Sequence, residues 1–112
     1  MIVVVSSLLT RLFSLGNADG IMIFPFLFVR NTIYKNQQTF INHEKIHFKQ
    51  ALELGIVFFY VWYLLELLLK SVKHQSFSVG YQNVSFEKEA YQNESIENYL
   101  SVRKPYTFIN YL

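Results

Sequence analysis

The sequence predicts a mainly helical α+β domain in which a short β-sheet, or at least an edge strand, precedes the helix that carries the chemistry. Three observations predict it. Ile21–Arg30 is dense in β-branched and aromatic residues, the composition of a strand. Thr39–Glu53 is a proline-free stretch containing His43-Glu44-Lys45-Ile46-His47, whose two histidines stand one helical turn apart. Ile56–Leu69 is apolar all round, the pattern of a helix buried in protein or lipid.

At 112 residues the chain is one domain, 1–112, able to bury a core but not a large one. Apolar residues make up 52% and aromatics 18%, more than so small an interior needs, so much of the excess faces a membrane or a partner. A net charge of +2 and the lack of a dense basic patch argue against a nucleic-acid partner. The absence of cysteine excludes disulfides and thiolate metal sites and fits a reducing compartment. Met1–Val5 has no leading basic residue and no cleavage site, a poor signal peptide. The expected location is the cytoplasm or a membrane surface.

Taken in order, residues 2–15 predict a short helix over about 5–14, with Ile2–Val5 equally readable as a strand. Gly16–Gly20, with two Gly, an Asn and an Asp, predicts a turn. Within Ile21–Arg30, Pro25 cannot donate to a ladder and marks an edge or a break between two short strands. An edge strand there could take up an extended peptide by main-chain hydrogen bonds; a buried hairpin arm without a ligand fits the same residues. Asn31–Gln38 reads as loop, with a strand-like pair at Thr32-Ile33.

The helix bearing the histidines is expected from Thr39, as N-cap, to about Glu53, with Gly55 as a break before the next apolar segment. Three readings of Ile56–Leu69 stay open: a membrane span, an interfacial helix, or a helix packed on protein. Glu66 cuts the apolar run short of the roughly 20 residues a span needs. Tyr60, Trp62 and Tyr63 sit mid-segment rather than at its ends, and Lys70, Lys73 and His74 close it. Glu66 must be solvent-facing or paired. Gln75–Ser85 reads as loop. Phe86–Leu100 reads as one helix, with Ser85 as N-cap and Glu87 and Glu89 at the positive end of its dipole. Arg103-Lys104-Pro105 ends it, and the aromatic tail Tyr106–Leu112 either packs back on the core or lies in a membrane interface.

The chemistry sits in His43-Glu44-Lys45-Ile46-His47, an H-E-x-x-H motif that uses all but one of the histidines. Two imidazoles four residues apart on a helix can converge on one zinc ion, and Glu44, one step round, can reach a water on that ion as general base. A catalytic zinc site needs a third protein ligand. His74, Glu66, Glu87, Glu89 and Glu94 are the candidates. On a helix, Glu87, Tyr91 and Glu94 share one face with Ala90 beside it, while Glu89 and Asn93 share another; the small Ala90 permits close approach to the histidine helix.

Glu87-Lys88-Glu89-Ala90-Tyr91 resembles the E-x-x-A-D segment that follows H-E-x-x-H in gluzincin metallopeptidases, and the chain is also similar to the small minigluzincins. The resemblance covers about residues 20–100 and rests on these two short motifs. It implies a minimal zincin-like domain, Zn²⁺ as cofactor, and Glu87 as the third ligand beside His43 and His47. It further implies peptide-bond hydrolysis, with Glu44 passing the water's proton to the leaving amine, and a peptide or protein substrate. The chain departs from the pattern at Tyr91, where the family has an Asp that orients the first histidine. The Tyr91 hydroxyl, Asn93 or Glu94 would then have to take that role. A second electrophile is expected from Tyr81, Tyr91 or His74. Two rival readings remain: a zinc-stabilised scaffold without catalysis, and a small protein that meets a membrane surface or protein partner through the apolar segment 54–69, its H-E-x-x-H accidental.

Overall fold

The computed structural model describes residues 1–14 and 19–112. It is a mainly helical α+β fold with one three-stranded sheet. The β-branched residues at the start form strand β1 (Ile2–Val5), and helix α1 (Ser7–Phe13) comes next, capped by the Ser6 hydroxyl on the Leu9 amide. Most of the turn expected over Gly16–Gly20 lies outside the described residues; Asp19 within it pairs with Arg30. Ile21–Arg30 does break at its proline. Strands β2 (Gly20–Ile23) and β3 (Phe26–Val29) run antiparallel on either side of Phe24-Pro25, which has a cis peptide bond. β1 lies parallel to β3, so the order is β1-β3-β2 and β2 is an edge.

Helix α2 (Thr32–Asn36) replaces the loop expected there, because the Asn31 side chain accepts from the Ile33 amide at 2.9 Å and starts a helical turn. Helix α3 (Gln38–Leu54) has Gln37, not Thr39, at its N-cap. Its buried residues include His43, Ile46, His47, Gln50 and Ala51, a stripe with the 3.6-residue period. Gly55 then adopts φ +87°, a conformation that side chains disfavour, and α4 (Ile56–His74) leaves at 113° to α3. Among the described residues no single helix is long and apolar enough to cross a membrane.

Helix α5 (Phe77–Gln82) occupies the expected Gln75–Ser85 loop. Gly80 within it is a packing residue: a Cβ there would stand 2.4 Å from the Ser71 hydroxyl of α4. Helix α6 (Ser85–Asn93) has Val84, not Ser85, at its N-cap. The capping is done from α4, where the buried Glu66 carboxylate accepts from the Ser85 amide at 2.6 Å, so Glu66 is paired. The single helix expected over Phe86–Leu100 stops at Asn93, whose side chain competes for the Glu89 carbonyl. A separate short helix, α7 (Tyr99–Val102), comes after it.

The aromatic tail packs back on the protein. Its 3₁₀ turn, Thr107–Tyr111, inserts Phe108 fully into a core with Ala51, Phe59, Val84 and Phe86. Phe86 and Phe108 lie 4.6 Å apart, centroid to centroid. This core wedges α6 against α3 and α4, and so positions the site.

Candidate metal centre

The inward stripe of α3 carries both motif histidines, and Ala90, fully buried, lets α6 lie close to it. Three atoms meet where the helices touch. The Nε2 atoms of His43 and His47 are 3.1 Å apart, and Glu87 Oε1 lies 3.0 Å from the first and 3.2 Å from the second. All three residues are buried.

The hydrogens of this triangle can be assigned from its surroundings. Gln50 Nε2 donates to the Phe86 carbonyl and to Glu89 Oε1, which fixes the amide orientation. Gln50 Oε1 therefore faces His47 Nδ1 at 2.8 Å, and that nitrogen carries the hydrogen. Likewise His43 Nδ1 donates to Glu94 Oε2 at 2.7 Å. With both Nδ1 atoms protonated, the neutral rings present only lone pairs at Nε2. Two Nε2 atoms and a carboxylate oxygen thus converge, with room for one shared positive charge, a proton on an imidazole or a metal ion.

The same geometry sets the titration behaviour. Burial pushes the His47 imidazole down, but the Glu87 carboxylate, helped by Glu44 and Gln50, lifts it to about 9. Burial likewise works against ionising Glu87, and the two imidazoles overcome it and hold the carboxyl well below its usual range. In the metal-free protein a proton supplies the missing positive charge. The donor set also suits a metal: tetrahedral ligands at zinc distances stand about 3.3 Å apart, close to the edges of this triangle.

The other Glu87 oxygen accepts from the Tyr63 hydroxyl at 2.6 Å. Glu44 shares a cavity of about 390 Å³ with the triangle, whose lining also includes Ile21 and Met22 of β2, Tyr60, Tyr63 and Tyr81. Burial raises the Glu44 carboxyl, partly offset by the two histidines. The edge of β2 is not free along its length: the Tyr60 hydroxyl donates to the Met22 carbonyl at 3.1 Å and accepts from the Phe24 amide at 3.0 Å.

His43, His47, Glu87 and Glu44 therefore come together as the sequence suggests. Of the other ligand candidates, Glu66 caps α6, Glu89 binds Arg103, and His74 is exposed at the far end of α4. Glu94 takes the orienting role left open by the missing Asp. Tyr91 does not: its ring sets an edge against His43 at 4.4 Å, while its hydroxyl meets Tyr81 at 3.4 Å. Of the proposed electrophiles, Tyr81 alone is among the residues lining the cavity. Gln50, Tyr60 and Tyr63 were missed. Gln50 had a signal, since it sits three residues after His47 on the same stripe; the two tyrosines belong to an apolar run that gives no hint of direction.

No protein-family model, curated protein or solved structure matches this chain.

Proposed function

We propose that the chain is a zinc-dependent peptidase of the gluzincin type, with His43, His47 and Glu87 as metal ligands and Glu44 as general base. The observation that carries this reading is the buried triangle of two Nε2 atoms and one carboxylate oxygen at 3.0–3.2 Å. Two imidazoles and a carboxylate beside a cavity are the ligand set of a catalytic zinc site; structural sites close the fourth position with protein. An H-E-x-x-H helix beside a small sheet's edge strand, with the third ligand on a later helix, is also what a minimal zincin-like domain requires.

When bound, the ion would polarise a carbonyl and bring a water toward a pKa of about 7. The chain's own residues do the rest. Glu44 accepts the water's proton and delivers it to the leaving amine nitrogen, a task suited to a carboxyl raised above its usual range. Glu94 and Gln50 hold the imidazoles in the tautomer that points Nε2 inward. Tyr63 occupies one Glu87 oxygen and leaves the other for the site. An extended substrate along β2 would have to take the Met22 carbonyl and Phe24 amide from Tyr60.

The test is zinc per chain, by elemental analysis of wild type, His47→Ala and Glu87→Ala. About one zinc in wild type and little in either variant is expected, and then peptide-library cleavage that Glu44→Gln abolishes. A wild type that cannot be loaded with zinc ends the peptidase reading. The Tyr60 contact favours a second reading, a metal-stabilised scaffold whose strand edge is already occupied. On that reading zinc binds and Glu44→Gln changes nothing.

A further inference from the structure

Helix α4 has two apolar faces, and the fold uses only one. Phe59 is buried and Trp62, Tyr63 and Leu67 pack on the core. On the other side Val57, Phe58, Val61, Leu64, Leu65, Leu68, Leu69 and Val72 are all exposed, Phe58 at 72% and Val72 at 78%. No polar side chain falls within that arc. Phe58, Val61, Leu65, Leu68 and Val72 keep a 3-4-3-4 spacing, the heptad seam that a second helix requires. Beside the seam lies a groove of about 280 Å³ bordered by Phe58, Val61, Trp62, Leu65, Leu69 and the buried Glu66 that caps α6.

We infer that this face pairs with the same face of a second copy of the chain, α4 against α4, antiparallel about a two-fold axis at Leu65. Area and spacing select the occupant; shape and charge select its direction. The eight side chains expose roughly 900 Å² per copy, so pairing that covers most of the face reaches about 800 Å² per partner, the size of a stable interface. In shape, antiparallel pairing about Leu65 sets Phe58 against the partner's Val72 and, along the seam, Val61 against the partner's Leu68, large against small; parallel pairing sets Phe58 on Phe58. In charge, Lys70, Lys73 and His74 all lie toward one end of α4. Antiparallel pairing holds the two basic ends apart by the length of the seam, about 20 Å at 1.5 Å per residue. A helix lying in a bilayer surface carries its basic residues along its whole polar face, and lipid places no demand on heptad spacing. The inference does not rest on the metal site.

Sedimentation in detergent-free buffer, with and without neutral phosphatidylcholine vesicles, tests it. Wild type is expected at twice the 13.3 kDa chain mass and off the vesicles, and Leu65→Lys at the monomer mass with an unchanged circular dichroism spectrum. If Leu65→Lys is misfolded, Val72→Lys, at a more exposed position, serves instead. The chain has no cysteine, so introduced thiols report the geometry cleanly. Leu65→Cys should cross-link to itself with a short bis-maleimide. Phe58→Cys should not, yet it should cross-link to Val72→Cys in a mixture of the two. A monomeric wild type, vesicle-bound or free, overturns the inference, as does a dimer that survives both lysine variants. Self-cross-linking of Phe58→Cys overturns the antiparallel arrangement.

Discussion

Glu87 and Glu89 stand two residues apart on α6, both buried, and their surroundings differ in one respect. Glu89 is met by donors: the Arg103 guanidinium, the Tyr99 hydroxyl at 2.8 Å and the Gln50 amide at 3.0 Å. Arg103 also grips Glu53 of α3 with two nitrogens, at 2.5 and 3.0 Å. Tyr63 donates to one oxygen of Glu87, but the other faces two imidazole nitrogens. Glu89 has a fixed positive charge beside it; Glu87 has only imidazoles, whose positive charge comes and goes with a proton. Gln50 touches both, donating to Glu89 and accepting from His47, so the Arg103 cluster is the anchor from which the His47 tautomer is set.

Breaking the donor-rich side should have the largest effect. Arg103→Met strands two carboxylates and should cost about 3–5 kcal/mol in urea denaturation. A loss under about 1 kcal/mol would mean that water satisfies Glu53 and Glu89 and that the two carboxylates of α6 do not differ in this way. Next come the links between the clusters. Gln50→Leu and Glu94→Ala should each weaken zinc binding about 10–100-fold, measured by competition with a chromophoric chelator. Glu94→Gln, which keeps an acceptor for His43, should weaken it less.

The two clusters should also separate by pH. Burial works against Glu89, but Arg103 and its other donors hold its carboxyl below 4.5, so its contribution to stability is present above that pH and fades as pH falls through the folded value. His47 is raised, so in chelator-treated protein its contribution is complete below 6.5 and is lost as pH rises through about 9. Zinc affinity should run the other way and climb toward pH 9, because the metal displaces the His47 proton. Denaturation at pH 6.5 and pH 10, with and without zinc, checks the two His47 signs, and a series from pH 6.5 down to about pH 3 checks Glu89. The smallest effect is expected at Tyr60. Tyr60→Phe gives up two hydrogen bonds at a partly exposed site, about 1 kcal/mol. If a peptide docks on β2, the variant should show a lower KM.

Whatever depends on short-range periodicity was legible in the chain. The histidines four apart, the strand before them, the helix break at Gly55 and the α+β class all come from spacing and composition within a dozen residues. Glu87 was reachable through a local motif. A distant group overrode one local signal, the Ser85 cap, displaced by Glu66 from 19 residues away; α2 and α5, read as loops, start on local caps, Asn31 on the Ile33 amide and Ser76 on the Val79 amide. Arg103 read as the end of a helix, and nothing around it in the chain announces the two carboxylates it joins. The sequence alone determined the chemistry on offer, two imidazoles, a base and several acids, because residue types and helical spacing are local. Only the tertiary structure decided which acid faces imidazoles and which faces a guanidinium, because a buried carboxylate takes its role from the donors that the fold brings to it.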